Sequence, residues 1–329
     1  MNAIARRLFV GMAVAAALGT ATLATAIESV TTSKKVTIGL VAKSQSNPVF
    51  VAAKTGAMDA AKELSIKHGI EIEIDWQTPV SEDAQKQAEM IEQLVNKGVS
   101  GIAVSCTDAL TLTRAIDAAV ETGVPVVTFD SDAPKSKRFA YYGTDDLACG
   151  RQVGDEIAKA IGGKGVVAIL AGNQTAPNLQ ARVRGTIEAL SKHPEIKVLD
   201  TFYHKETAQD AVNKMEEVQR TNPEINGWAL VGGWPLNAKN ALDNIAPYAK
   251  VVSVDALRPM LVYVENGQVE VLLAQKVYEW GYESTRLLVD KIVKDEMPKE
   301  QIVKAELVRV IKETAAEYGK NWGKWLGEK

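Results

Sequence analysis

What most constrains this chain is a unit that repeats along it: a short apolar run, a few turn residues, then a helical pattern. The run at 36–42 (VTIGLVA) leads to Asn47-Pro48, which opens a helix that Gly69 closes. An alternating segment at 70–75 reads as an edge strand. A helix from Ser81-Glu82-Asp83 to Gly98 follows, then a strand at 101–105, a helix at 108–121 and a strand at 124–129. After a short strand at 139–142 and a helix at 145–161 the scheme starts again. Strands at 165–170, 196–202, 228–231, 251–254 and 269–274 alternate with helices at 176–192, 208–220, 236–245 and 259–266. A long helix from Val277 to Lys294, a strand at 303–310 and a helix at 314–326 complete the chain. Apolar runs this short, bounded by turn residues, read as buried parallel strands. Alternating strands and helices place helices on both faces of each sheet. Two series of similar length predict an α/β chain of two similar doubly wound parallel-sheet lobes.

The two ends of the charge and hydropathy pattern bound the function. At 329 residues the chain suggests two domains. A formal charge of −3 argues against a nucleic-acid or anionic-membrane binder. Arg6 and Arg7 precede an apolar, small-residue run ending Ala24-Thr25-Ala26, the pattern of a signal peptide over 1–26 cut after Ala26. The run is too dilute for a membrane anchor, so an exported, soluble protein is expected. Removing the two arginines takes the charge to −5. In an oxidising compartment Cys106 and Cys149 are a candidate disulfide, with two free buried thiols as the alternative. The three histidines, His68, His193 and His204, have no metal-ligand spacing. The chain has no nucleophile elbow, phosphate loop or dinucleotide fingerprint, so no catalytic residue, metal or cofactor is assigned.

Polar and aromatic side chains instead gather where strands end. The stretch VPVVTFDSDAP at 124–134 leaves its strand on Asp130 and Asp132. Asn47 and Phe50 follow the first strand, and Gly172-Asn173-Gln174 follow the strand at 165–170, with Arg182 in the next helix. Gly232-Gly233-Trp234, Asp255 and Gln275 close three more strands. Ligands of open α/β sheets bind outside the carboxyl ends of the strands. Carboxylates accept, a guanidinium donates, and amides do both, which suits a neutral polyhydroxylated ligand whose C–H face an aromatic ring covers. Each residue also has a plainer role open to it. The acids serve in turns, Asn47 caps a helix, Phe50 and Trp234 fill core, and Arg182 pairs with an acid such as Glu188.

The segments 44–57 (SQSNPVFVAAKTGA), 125–132 (PVVTFDSD), 180–185 (QARVRG), 251–256 (VVSVDA) and 272–281 (LLAQKVYEWG) resemble the ribose- and galactose-type periplasmic sugar-binding proteins, the substrate-binding components of ABC transporters. The resemblance runs from about Lys35 to Val310. It implies two lobes joined by a three-segment hinge, with crossings near 143–144, 275–276 and 309–311. The expected division is then 27–143 plus 276–309 for the N-terminal lobe and 144–275 plus 310–329 for the C-terminal lobe. By motif position the ligand contacts fall on Asn47, Asp130, Arg182, Asp255 and Gln275, with Phe50 stacking; Asp132 and Trp234 join them from the reading of the strand ends. Three positions depart from the ribose pattern: Val49 replaces an aromatic, Ser131 an Arg, and Gly233-Trp234 an Asn-Asp pair. These departures leave another monosaccharide or a sugar alcohol open beside ribose. The implied partners of this monomer are a small neutral sugar or polyol, an ABC transporter membrane permease and a chemoreceptor. Two rival readings remain: a secreted enzyme on small carbohydrates using Asp130 and Asp132 as acid and base, and a same-fold binder of a furanose-like signalling molecule.

Overall fold

The computed structural model describes residues 35–328; the expected signal peptide lies outside the described residues. The first five strands are β1 (Lys35–Val41), β2 (Glu71–Trp76), β3 (Gly101–Val104), β4 (Val126–Phe129) and β5 (Ala140–Thr144). The next five are β6 (Gly165–Ala171), β7 (Ile196–Tyr203), β8 (Ile225–Leu230), β9 (Lys250–Val254) and β10 (Val271–Ala274), and β11 (Ile302–Ala305) and β12 (Val308–Val310) come last. They form two six-stranded sheets, ordered β11-β5-β4-β3-β1-β2 and β12-β10-β9-β8-β6-β7. The two orders match strand for strand. All pairs are parallel except β10–β12. β3 and β4 are buried along their whole length, as strands covered on both faces must be, while the alternating β2 lies on an edge.

Helices α1 (Pro48–His68), α2 (Ala84–Asn96), α3 (Ala109–Glu121), α4 (Asp146–Ala160) and α5 (Pro177–Leu190) are followed by α6 (Ala208–Thr221), α7 (Arg258–Glu265) and α8 (Val277–Lys294). The tail adds α9 (Lys312–Gly319) and α10 (Asn321–Trp325). Asn47 caps α1 with Pro48 in its first turn, and Gly69 ends it in the left-handed region. Although α8 follows β10 of the second sheet, it packs on α1 and on β3, β4 and β5 of the first. The chain therefore crosses between lobes after β5, after β10 and between β11 and β12.

Three expectations need correction. The single strand at 303–310 is two strands in different sheets, so the third crossing falls at Glu306–Leu307 and not at 309–311. The helix at 236–245 is absent: a 3-10 turn covers Trp234–Asn237 and Asn240 sits at φ +60°. There the Tyr263 hydroxyl donates to Ala238 O and accepts from Ala241 N at 3.1 Å, supplying bonds that a helix would have made. The last helix is broken at Lys320 into α9 and α10.

The tail touches both halves. Trp322 donates its indole N–H to Ala256 O at 2.8 Å, and Trp325 stacks on Tyr278 of α8 with ring centroids 6.4 Å apart. Helices α4 and α5 meet through glycine: a Cβ on Gly150 would lie 2.0 Å from the carbonyl oxygen of Arg182. That close approach seats the helix that carries Arg182.

Candidate ligand-binding site

The carboxyl ends of both sheets face one cleft. Its inner cavity, about 70 Å³, is lined by groups from both lobes, and it opens into a mouth of about 1110 Å³. Asn47, Glu82, Glu206, Trp234 and Asn237 line both spaces.

In the first lobe, Asp130 directly follows β4 with φ +56°; in the second, Asp255 directly follows β9, the matching strand, with φ +74°. Asp tolerates this left-handed conformation better than most residues, and such outliers concentrate at functional sites. The Tyr141 hydroxyl fixes the first turn by donating to Asp130 O at 2.9 Å. Ser105 Oγ donates to Asp130 Oδ2 at 2.8 Å, and Lys43 Nζ lies 3.7 Å from the same oxygen. The fully buried Gln87 of α2 aligns this wall, donating to the carbonyls of Ala42 and Ser105 and so tying the ends of β1 and β3 together. Burial alone would push the Lys43 ammonium down, but Asp130, Glu82 and Glu206 outweigh it and hold its pKa above the ordinary value. Glu82 is pushed up by its enclosure in the cleft and by Glu206 and Asp130, with Lys43 opposing.

The second lobe supplies a chain of bonds that runs to the hinge. Arg182, 2% exposed, donates from Nε to Asp146 Oδ1 at 2.8 Å, from Nη1 to Val231 O at 3.2 Å and from Nη2 to Gln275 Oε1 at 2.8 Å. Thr144, at the end of β5, donates to the same Gln275 oxygen at 2.9 Å. Gln275 Nε2 donates to Asp255 Oδ1 at 2.8 Å, and Gly233 N donates to Asp255 Oδ2 at 3.3 Å. Burial would lower the Arg182 pKa, yet Asp146 and its acidic neighbours hold it above the ordinary value. Two of the three crossings are thus bonded to groups that line the cavity.

Of the residues expected from sequence, Asn47, Phe50, Asp130, Arg182, Trp234, Asp255 and Gln275 line the inner cavity together. Asn47 also caps α1, its side chain accepting from Val49 N at 3.2 Å. Phe50 is buried in the wall, and Trp234 is half-buried with its ring 5.2 Å from that of His204 at the mouth. Asp132 does not line the cavity. Both its oxygens are held by Arg138 at 2.5 Å, and Thr128 donates to one of them. The acid–base pair of the enzyme reading therefore does not converge on the cleft. Cys106 and Cys149 are free and lie in separate cores, so the candidate disulfide is absent; burial raises both thiols, that of Cys149 to about 12. Sequence reading missed Lys43, Glu82, Asn178, Glu206 and Trp280 as lining groups. Lys43 stands in the polar string after β1, and Asn178 lies one helical turn before Arg182 on the same face; Trp280 gave no such sign.

Residues 38–296 match the periplasmic binding protein domain family. The chain belongs to that family. As in its type I members, two parallel-sheet α/β lobes frame the cleft. This binding protein is 28% identical to the D-allose-binding periplasmic protein of Escherichia coli over 82% of its own length and 90% of the relative's. It is 26% identical to the ribose import binding protein of Bacillus subtilis, over 74% and 77% of the two chains. A solved ABC transporter solute-binding protein from Burkholderia graminis, in complex with D-arabinose, superposes with a TM-score of 0.78 at 26% identity, covering 87% of this chain and 98% of that one.

Proposed function

We propose that this protein captures a monosaccharide or sugar alcohol in the periplasm, holds it unreacted between the lobes and presents the closed form to an ABC transporter permease. The observation that carries this reading is the gathering of strand-end donors and acceptors from both lobes around one cavity: Asn47, Lys43 and Asp130 from the first, Arg182, Asp255 and Gln275 from the second half of the chain and its crossing. A ligand bonded to both sets favours the closed arrangement over any in which the lobes are apart, and that difference in affinity shifts the population. Hinge closure around ligand is the motion known for this class of protein. The relatives that bind D-allose, ribose and D-arabinose support a carbohydrate cargo, and their transport roles support delivery without chemistry.

A thermal-shift screen of pentoses, hexoses and polyols tests the reading, because a ligand specific to the native state raises the apparent Tm. One or more sugars should raise Tm in proportion to the logarithm of concentration and be recovered unchanged by chromatography. Turnover of the sugar, or stabilisation only by charged or aromatic compounds, would overturn it.

A further inference from the structure

Two helix pairs of this fold close through glycine. A Cβ on Gly56 of α1 would lie 2.0 Å from Tyr278 O of α8, as one on Gly150 of α4 would from Arg182 O of α5. The pair on the other face of the first sheet differs: α2 and α3 contain no glycine. They pack on Ile102 and Val104 of β3, whereas Ala103 faces the core shared with α1 and α8. Between them runs a groove of about 700 Å³, outside the cleft. Ala88, Ile91 and Val95 of α2 and Ala115 and Ala118 of α3 line it. Leu110, in the first turn of α3, also lines the groove and is 73% exposed.

The charges of this face divide by helix. Glu89 and Glu92 stand on the α2 wall and Arg114 on the α3 wall, all three exposed. Among the described residues none of the three belongs to an ion pair. Neighbours outside the groove do: Lys86 with Asp83 at 3.8 Å and Lys137 with Glu121 at 2.6 Å. Each helix returns from the carboxyl end of one parallel strand to the start of the next, so α2 and α3 run in the same direction.

We propose that a second copy of this chain covers the groove in solution, related by a twofold axis along it, so that α3 of each copy lies on α2 of the other. What selects a second copy is that the face complements itself. It carries a protruding leucine, a hollow floored by alanines to receive an apolar side chain, and opposite charges on opposite walls. A twofold interface uses the same patch on both subunits and needs both halves of each contact on one face. With the axis along the groove, each Arg114 meets Glu89 and Glu92 of the other copy. An axis across the groove would lay α2 on α2 and α3 on α3, setting acid against acid and arginine against arginine. Like charges facing each other suppress that arrangement, and opposite charges fix the register of the first. Two 13-residue helices, about 20 Å long, make a small face. Interfaces at the low end of the size range belong to transient complexes, so the dimer is weak and exchanging. The inference is independent of the carbohydrate reading.

Sedimentation velocity from about 5 to about 500 µM, the range suited to a weak interface, tests this. Wild type should shift toward twice the monomer mass as concentration rises. Arg114→Glu, Leu110→Ser and the double variant Glu89→Arg/Glu92→Arg should each weaken association about tenfold or more. Their Tm should stay at the wild-type value, because all four positions are exposed. The decisive sample mixes Arg114→Glu with Glu89→Arg/Glu92→Arg. Each protein alone sets like charges against each other, but one copy of each restores both contacts, so the mixture should associate as wild type does. Wild type monomeric throughout, a dimer indifferent to Arg114→Glu, or a mixture that stays monomeric overturns the proposal.

Discussion

Gly150→Ala perturbs the site without touching the cleft. The added Cβ would sit 2.0 Å from Arg182 O, 2.7 Å from its carbonyl carbon and 2.8 Å from its Cα. All three are backbone atoms, so no rotamer change relieves the overlap. To reach ordinary contact α5 must retreat by roughly 1.4 Å, since non-bonded carbon and oxygen rest near 3.4 Å or more. Overpacking of this kind costs about 1–3 kcal/mol, which lowers Tm by roughly 2–4 °C per kcal/mol for a domain the size of one lobe. The functional effect is larger. A shift of that size carries the guanidinium out of range of Gln275, which it now meets at 2.8 Å, and moves Asn178 with it. Differential scanning calorimetry and titration with the sugar found in the screen should record a modest fall in Tm and a loss of about tenfold or more in affinity. Gly323→Ala, where a Cβ meets only side-chain atoms at 3.8 Å and beyond, is the control and should change neither. Unaltered affinity in Gly150→Ala would refute the claim that the α4–α5 contact sets the position of Arg182.

Asp132→Ala should lower stability by about 3 kcal/mol, because Arg138, 3% exposed, loses its partner; sugar affinity should persist, and its loss would return Asp132 to the site. Asp255→Ala should weaken binding roughly 10- to 100-fold by removing a charged acceptor and freeing Gln275 Nε2 and Gly233 N; wild-type affinity would remove it from the site. Lys43 titrates above its ordinary 10.5 because its carboxylate neighbours outweigh burial. A raised folded pKa gives stability that is complete below pH 10.5 and is lost as pH climbs through the folded value. Wild-type Tm should therefore fall more steeply than that of Lys43→Met above that pH, and parallel slopes would sink the assignment.

The strand ends were legible because their signals are local. An apolar run, a turn and an acid lie within ten residues, so Asp130, Asp255 and Gln275 could be placed from sequence. What failed depended on partners distant in sequence or geometry. Asp132 looks as available as Asp130 until Arg138 folds back onto it across a turn. The segment 236–245 has helical periodicity, but Tyr263 captures its backbone from α7. Residues 303–310 have strand character throughout, and only the existence of two sheets divides them. Trp280 occupies an apolar position on α8 like any core residue; that it meets the cavity depends on how α8 packs beside Phe50 of α1, a contact distant in sequence.

The seam between the C-terminal tail and α8 bears on how far the jaws can swing. Trp325 lies flat on Tyr278, only a few residues beyond Gln275, while Trp322 is pinned beside Asp255. Points close to a pivot travel little even when the rim travels far, so under the proposed hinge motion these plates would act as a bearing, sliding over each other through a small arc. Trimming the last turn would leave the grip on cargo intact in its chemistry while letting the two halves rock out of line.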